Sequence, residues 1–320
     1  MRRRDVVSLL AALGAGAPVF ARAETRPMRV GLLGSQPLAP IESFKAKLNA
    51  LGYAEGKNLA FAEQWAQGRD DRFPALAAAL AALPVDVIVA WGTPAAIAAK
   101  RASQTLPVVF VAGDAVNTGI VTNLARPEAN VTGVIAINVQ LEEKRLELLQ
   151  EVVPNLRRVA VLANSLNPLN TINLKTTHRV ARELKLAIEV FEVRSSAEIA
   201  GALKRLVESR PDAALLASDI LLLSNRKQIA ETMAAHRIPA IYPFREYKDA
   251  GGFVVYGANI SVLFERAAEY VDRILKGAKP GSLPVQQATA FELIVNLKAA
   301  AGLGLRVPSA VQVRADEVIE

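Results

Sequence analysis

Short apolar runs that end in small or polar residues recur along the chain, and most are followed by a stretch whose apolar positions have helical spacing. Runs that are apolar throughout, rather than alternating, are how parallel strands covered on both faces read. In the first half they predict strands over residues 28–34, 59–64, 85–91, 108–112 and 131–135, with helices over 41–51, 73–83 and 94–103. The second half predicts a helix over 141–153, strands over 159–163, 188–193, 213–217, 240–242 and 253–256, and helices over 170–184, 197–209 and 225–236. A helix over 262–276, a turn-rich linker over 279–284 and a helical tail over 291–303 complete the pattern.

Three strand segments occur twice. Residues 29–35 match 158–164, 85–93 match 211–219, and 107–111 match 239–243, at offsets of about 129, 126 and 132. The expected fold class is therefore α/β, with two doubly wound parallel-sheet lobes joined by a hinge. Lobe 1 is expected over residues 24–137 with about 260–283, and lobe 2 over 138–259 with about 284–320. In open α/β sheets ligands bind beyond the carboxyl ends of the strands, so function is expected where the two sets of loops face each other.

Residues 1–23 stand apart from this pattern. Arg2, Arg3 and Arg4 precede an apolar stretch from Val6 to Phe20, and Ala21-Arg22-Ala23 has the small-x-small form of a signal cleavage site. Export and cleavage after Ala23 are expected, by the general or the twin-arginine route, which places the mature protein in the periplasm. The formal charge of +7 falls with the four arginines and one aspartate of that segment. The remaining basic residues are scattered, so no nucleic-acid partner is expected. Cysteine is absent, which removes disulfides, thiolate metal sites and a lipid-modified cysteine anchor. The other long apolar stretch, 73–91, is interrupted by Pro74, Pro84 and Asp86 and is not a membrane span; membrane contact is expected only through a partner.

The candidate ligand-binding residues follow the strands. Gly92-Thr93-Pro94 joins a strand to a helix, with Thr93 read as the N-cap, and free amides there would suit a carboxylate or phosphate. Asn164 ends a strand in the second half, Asn167-Pro168 repeats the cap pattern, and Ser35 follows the first strand. Asp114 and Asp219 each follow a strand and could receive an ammonium group or cap the next helix. Trp91, Tyr242 and Tyr256, with Phe244, gather at strand ends, where rings could wall an apolar ligand or fill the space between lobes. Arg245 could clamp a carboxylate, with adjacent Glu246 as the competing partner. Catalytic machinery, a metal set and a cofactor motif are not expected: there is no G-x-S-x-G elbow and no P-loop, and His178 and His236 lie apart within predicted helices.

The Trp91-Gly92-Thr93-Pro94 segment, Asn164 with Asn167-Pro168, the run from Ile238 to Glu246, Gly251-Gly252 with Tyr256-Gly257, Phe291 to Lys298 and the ending Arg314 to Ile319 resemble the tryptophan/tyrosine-type substrate-binding proteins of ABC transporters. The resemblance covers essentially the whole mature chain, with one departure: Trp91 stands where the family has a small residue. It implies a type I periplasmic-binding fold with three hinge crossovers and a small ligand, aromatic or amino-acid-like, held between lobes. Its partners would be an ABC permease and a separate ATPase subunit, the binding protein itself being a monomer and not an enzyme. A periplasmic ligand sensor, or a secreted α/β enzyme, remain the alternatives.

Overall fold

The computed structural model describes residues 26–127, 129–136 and 140–320; the expected signal, residues 1–23, and the expected lobe boundary at 137 and 138 lie outside them. The first half runs β1 (Met28–Gly34), α1 (Pro40–Ala50), β2 (Leu59–Trp65), α2 (Phe73–Ala81), β3 (Val87–Trp91), α3 (Thr93–Ala102), β4 (Val108–Ala112) and β5 (Val131–Ile135). The second runs α4 (Gln140–Val152), β6 (Arg158–Asn164), α5 (Pro168–Glu183), β7 (Ala187–Val193), α6 (Ser196–Glu208), β8 (Ala213–Leu216), α7 (Ile220–Ser224), α8 (Arg226–Ala235), β9 (Ala240–Tyr242) and β10 (Val254–Ala258). It closes with α9 (Ile260–Leu275), β11 (Gln286–Gln287), β12 (Phe291–Asn296), α10 (Leu297–Leu303), α11 (Ser309–Arg314) and β13 (Glu317–Ile319).

Two sheets result, ordered β11-β5-β4-β3-β1-β2 and β13-β12-β10-β9-β8-β6-β7. The order 2-1-3-4-5 of a doubly wound sheet appears in each, with its switch point beside the first strand of each half. Strand registers repeat at the offsets seen in the sequence. Leu32 lies opposite Val89, and Val161 opposite Leu215; Val89 lies opposite Val109, and Leu215 opposite Ile241. Even the strand-entry bonds recur, Asp86 accepting from the Arg29 amide at 2.7 Å and Asp212 from the Arg158 amide at 2.8 Å.

The chain returns to the first sheet after β10. Helix α9 buries Leu263, Phe264, Ala267, Ala268, Val271 and Ile274 along one face, which is the periodicity that makes it a helix. That face meets α1, β3, β4 and β5, and the Phe264 ring stands edge-on to Trp91 at 5.0 Å and to Phe44 at 6.5 Å. The first sheet keeps the chain through β11, a little past the expected 283. One expectation fails here: residues 291–303 are not a single helix, because Phe291–Asn296 pairs antiparallel with β10 and parallel with β13. Leu293, Ile294 and Val295 suit a buried strand as well as a helix, and the open edge of β10 decides between them.

Behind the strand ends of the second sheet lies a wholly buried ionic network. Arg145 donates to Glu142 Oε1 at 2.8 Å, Ser218 Oγ at 2.9 Å and the Tyr256 carbonyl at 2.8 Å, and Asn173 donates to the same Glu142 oxygen at 3.1 Å. These bonds tie α4 to the turns after β8 and within β10. The lobes touch at small residues. An added Cβ on Gly113, after β4, would fall 2.2 Å from Leu169 Cδ2 of α5, and one on Gly92 would fall 3.3 Å from Ile220 Cγ1 of α7. The Ser196 amide also donates to the Gly68 carbonyl at 3.0 Å.

Two outcomes are expected from these contacts. Arg145→Met should lose about 3–5 kcal/mol of stability in urea unfolding, since it strands the Glu142 carboxylate in the core, and adding Glu142→Gln should recover part of that loss. Gly113→Val should leave the circular dichroism spectrum unchanged and enlarge the radius of gyration in small-angle scattering, because its branches meet Leu169 at the lobe contact and overpacking of this kind costs about 1–3 kcal/mol.

Candidate functional site

The carboxyl ends of both sheets enclose a small cavity of about 30 Å³, roughly twice the space one water needs. Its lobe 1 wall is Trp91, Gly92 and Thr93 after β3, with Val111 to Gly113 at the end of β4. Its lobe 2 wall is Asn167, Leu169, Ser218, Asp219, Ile220 and Phe244, and Ile260 closes it from the start of α9. The walls are mainly apolar, with polar groups at two opposed points.

On the lobe 1 side, α3 begins at the cavity without a side-chain cap. Gly92 has φ 92°, a region that favours glycine, and it occupies the N-cap position expected for Thr93. Thr93 is instead the first helical residue, and its hydroxyl accepts from the Gly113 amide at 3.3 Å. Pro94 has no amide hydrogen, so the Thr93 and Ala95 amides of α3 are left for whatever lies in front of them, and the helix dipole makes that end attractive to an anion.

On the lobe 2 side the helix ends are capped, and by residues whose remaining atoms form one polar cluster. Asn167 Oδ1 accepts from the Leu169 amide at 3.0 Å, capping α5. Asp219 Oδ1 accepts from the amides of Leu221 at 2.7 Å and Leu222 at 3.2 Å, capping α7. Asp219 Oδ2 accepts from Asn167 Nδ2 at 2.7 Å and Asn164 Nδ2 at 3.1 Å. Four donors thus hold this carboxylate, and none of them is a cation. Burial raises its pKa, while the Asn167, Asn164 and amide bonds pull it back down. The second hydrogen of the Asn164 amide crosses to lobe 1 and meets Asp70 Oδ2 at 2.8 Å. Burial first, and the Asp219 charge second, push Asp70 up to about 7.

Of the residues singled out from sequence, Trp91, Gly92, Thr93, Asn167 and Asp219 line the cavity, and Asn164 sits directly behind it. Four others do not line it. Ser35 is buried after β1, and its hydroxyl has no hydrogen-bond partner among the described residues. Asp114 turns back on its own loop and accepts from the Asn117 amide at 3.0 Å. Tyr242 is buried inside lobe 2, stacked on Tyr247 at 4.5 Å, while Phe244, two residues on, lines the cavity. Tyr256 leans on Phe291 at 6.4 Å, the strand that covers it. Arg245 is engaged by Glu292 at 2.7 Å and Glu317 at 2.6 Å, rather than by Glu246. Asp70, Gly113, Leu169, Ser218 and Ile220 also stand at the site or directly behind it and are not among the residues expected there. Asp70 sits in a run of charges, Arg69-Asp70-Asp71-Arg72, that reads as a solvated turn, while Ser218 and Ile220 flank Asp219 and could have been taken with it. Among the described residues no group of three or more His, Cys, Asp or Glu could hold a metal ion, and no helix is long and apolar enough to cross a membrane.

Comparisons with known proteins bear on the fold and the family. The chain is 25% identical over 256 residues to the tyrosine-binding protein of Clostridioides difficile (strain R20291), covering 80% of this chain and 73% of that one. The crystal structure of a conserved domain protein from Vibrio cholerae superposes with a TM-score of 0.84 at 27% identity, over 92% of this chain and all of that one. An ABC domain from Streptococcus pneumoniae, solved in complex with L-Trp, has the same fold, with a TM-score of 0.83 at 23% identity over 92% of this chain and 100% of that one. The family model for ABC transporter substrate binding proteins matches residues 37–319, and the chain belongs to that family.

Proposed function

We propose that the protein is exported, captures an amino-acid-like ligand with a carboxylate and an apolar side chain between its lobes, and delivers it as a monomer to a membrane permease driven by a separate ATPase subunit, without chemistry of its own. The observation that carries this reading is the opposition across one apolar cavity of an uncapped helix start, α3 at Gly92 and Thr93, and a carboxylate, Asp219, that has no cationic partner among the described residues. The first suits a ligand carboxylate and the second an ammonium group. Trp91, Leu169, Ile220 and Phe244 supply the apolar walls. The tyrosine and L-Trp named for two similar proteins are ligands of this class. A cavity of about 30 Å³ is smaller than an aromatic side chain, so around such a ligand Leu169 and Ile220 stand farther from Gly113 and Gly92 than they do here. Lobe approach then follows binding through contacts made only when both walls touch the ligand.

Calorimetry with L-tyrosine, L-tryptophan and 3-(4-hydroxyphenyl)propionate tests the pairing. Asp219→Asn keeps an N-cap for α7 but removes the charge, and it should weaken the amino acids by at least about tenfold while leaving the plain acid nearly unaffected. Equal losses for all three would remove Asp219 from this role, and no binding of any of them would remove the ligand class. Protein recovered from the periplasm should begin at Glu24, read by N-terminal sequencing. An intact Met1 on all of the mature protein would sink the export reading.

A further inference from the structure

Among the described residues, no salt bridge reaches either of the two carboxyl groups that meet where the lobes touch. Asp70 lies in the 3₁₀ turn Asp70–Arg72 of lobe 1, and Asp219 caps α7 of lobe 2. They are 8% and 2% exposed. A single amide group, Asn164 Nδ2, donates to both, at 2.8 and 3.1 Å. We propose that Asp70 and Asp219 form a proton-linked latch between the lobes, which holds when one of the two carboxyl groups is protonated and is weakened when both are ionised.

The charges around the pair do not neutralise it. On Asp70's own turn, Arg69 is spent on Asp71 through two bonds of 2.9 and 2.8 Å, and Arg72 reaches the Ala66 carbonyl and Gln67 Oε1 at 3.4 Å. Asp71 adds a like charge. From α3, Arg101 shares an outer groove with Asp70 but is exposed to solvent. From lobe 2, Asp219 is met by Asn164, Asn167 and the α7 amides, with the buried Tyr247 hydroxyl behind it. Amide donors stabilise one carboxylate well. They cannot offset a second one buried beside it, because the mutual repulsion and the lost hydration act on both.

Separating the lobes breaks the Asn164 bridge and returns Asp70 to water, where it titrates as an ordinary carboxyl near about 4. In the closed arrangement it is pushed up to about 7, by burial and then by Asp219. The closed-state value is the higher one, so closing takes up a proton in the window between the two. The latch is at full strength below about pH 4. It loses about tenfold in the closed-to-open ratio for each pH unit up to about 7, and above that it contributes nothing further.

The full mature protein, dialysed free of small molecules, can be followed by small-angle scattering from pH 4.5 to 8.5, with carboxyl ¹³C shifts of labelled aspartates read in parallel. The expected wild-type result is a radius of gyration that grows as pH rises toward about 7 and levels off above it, with one aspartate titrating well above the ordinary carboxyl range. Asp70→Asn should abolish that titration and stay compact across the range, while Asp219→Asn, which removes the neighbouring charge but not the burial of Asp70, should keep a titration at lower pH and open less than the wild type. Because the two variants alter different lobes, either one that folds, as judged by circular dichroism, decides the question. A wild-type radius that is constant with pH, or a variant that opens along the wild-type profile, overturns the latch. No ligand enters the measurement, so its outcome is independent of the ligand proposed above.

Discussion

Parallel strands joined by right-handed helical crossovers bring every strand's carboxyl end, and the amino end of every following helix, to one edge of the sheet. That constraint governs this molecule twice. Each half has the same strand order and registers, so each presents an edge of small residues, helix starts and short polar side chains. The chain passes back to the first sheet after β10 and on to the second after β11, and the two edges face each other across the cavity. The cavity therefore needs no dedicated element, being the space left where two equivalent edges meet.

The duplication does not make the edges alike, and the differences give the cleft its polarity. At matching places after β3 and β8 stand Gly92-Thr93 and Ser218-Asp219. The first leaves a helix start without a side-chain cap, while the second supplies a carboxylate that caps its helix with one oxygen and turns the other toward two asparagine side chains. One ancestral geometry thus yields an electropositive wall and an electronegative one. Close approach of these walls depends on Gly113 and Gly92, since any side chain there would meet Leu169 or Ile220.

The fold was legible because its signals are local and repeated. Continuous apolar strands, the matched segments at 29 and 158, and the periodic helices between them carry the two-sheet arrangement without any knowledge of contacts. What escaped was set by partners distant in sequence. Phe291–Asn296 is a strand because β10 offers an unpaired edge, a fact absent from its own residues. Tyr242 and Tyr256 stand at strand ends as expected, yet strand-end position does not say which way a ring turns, and both turn into lobe 2 or along its sheet. Asp70 escaped for a similar reason. Its buried hydrogen-bond partner is Asn164, 94 positions along the chain, and the surrounding charges disguise it as a surface turn.

Lobe 2 holds two buried polar networks close together, and they are balanced in opposite ways. Around Arg145 a guanidinium faces a carboxylate, with serine, asparagine and a backbone carbonyl taking further bonds, so the network carries little net charge and can stay fixed whatever the lobes do. Around Asp219 every bond comes from a neutral amide, and the charge is left over. Ser218, bonded to Arg145, and Asp219, one residue on, join the two networks at the cavity wall. A rigid, neutralised base thus carries an unneutralised group at the lobe contact. Electrostatic free energy can change with lobe separation only at the second of these, because only there does approach of the other lobe alter what the charge experiences.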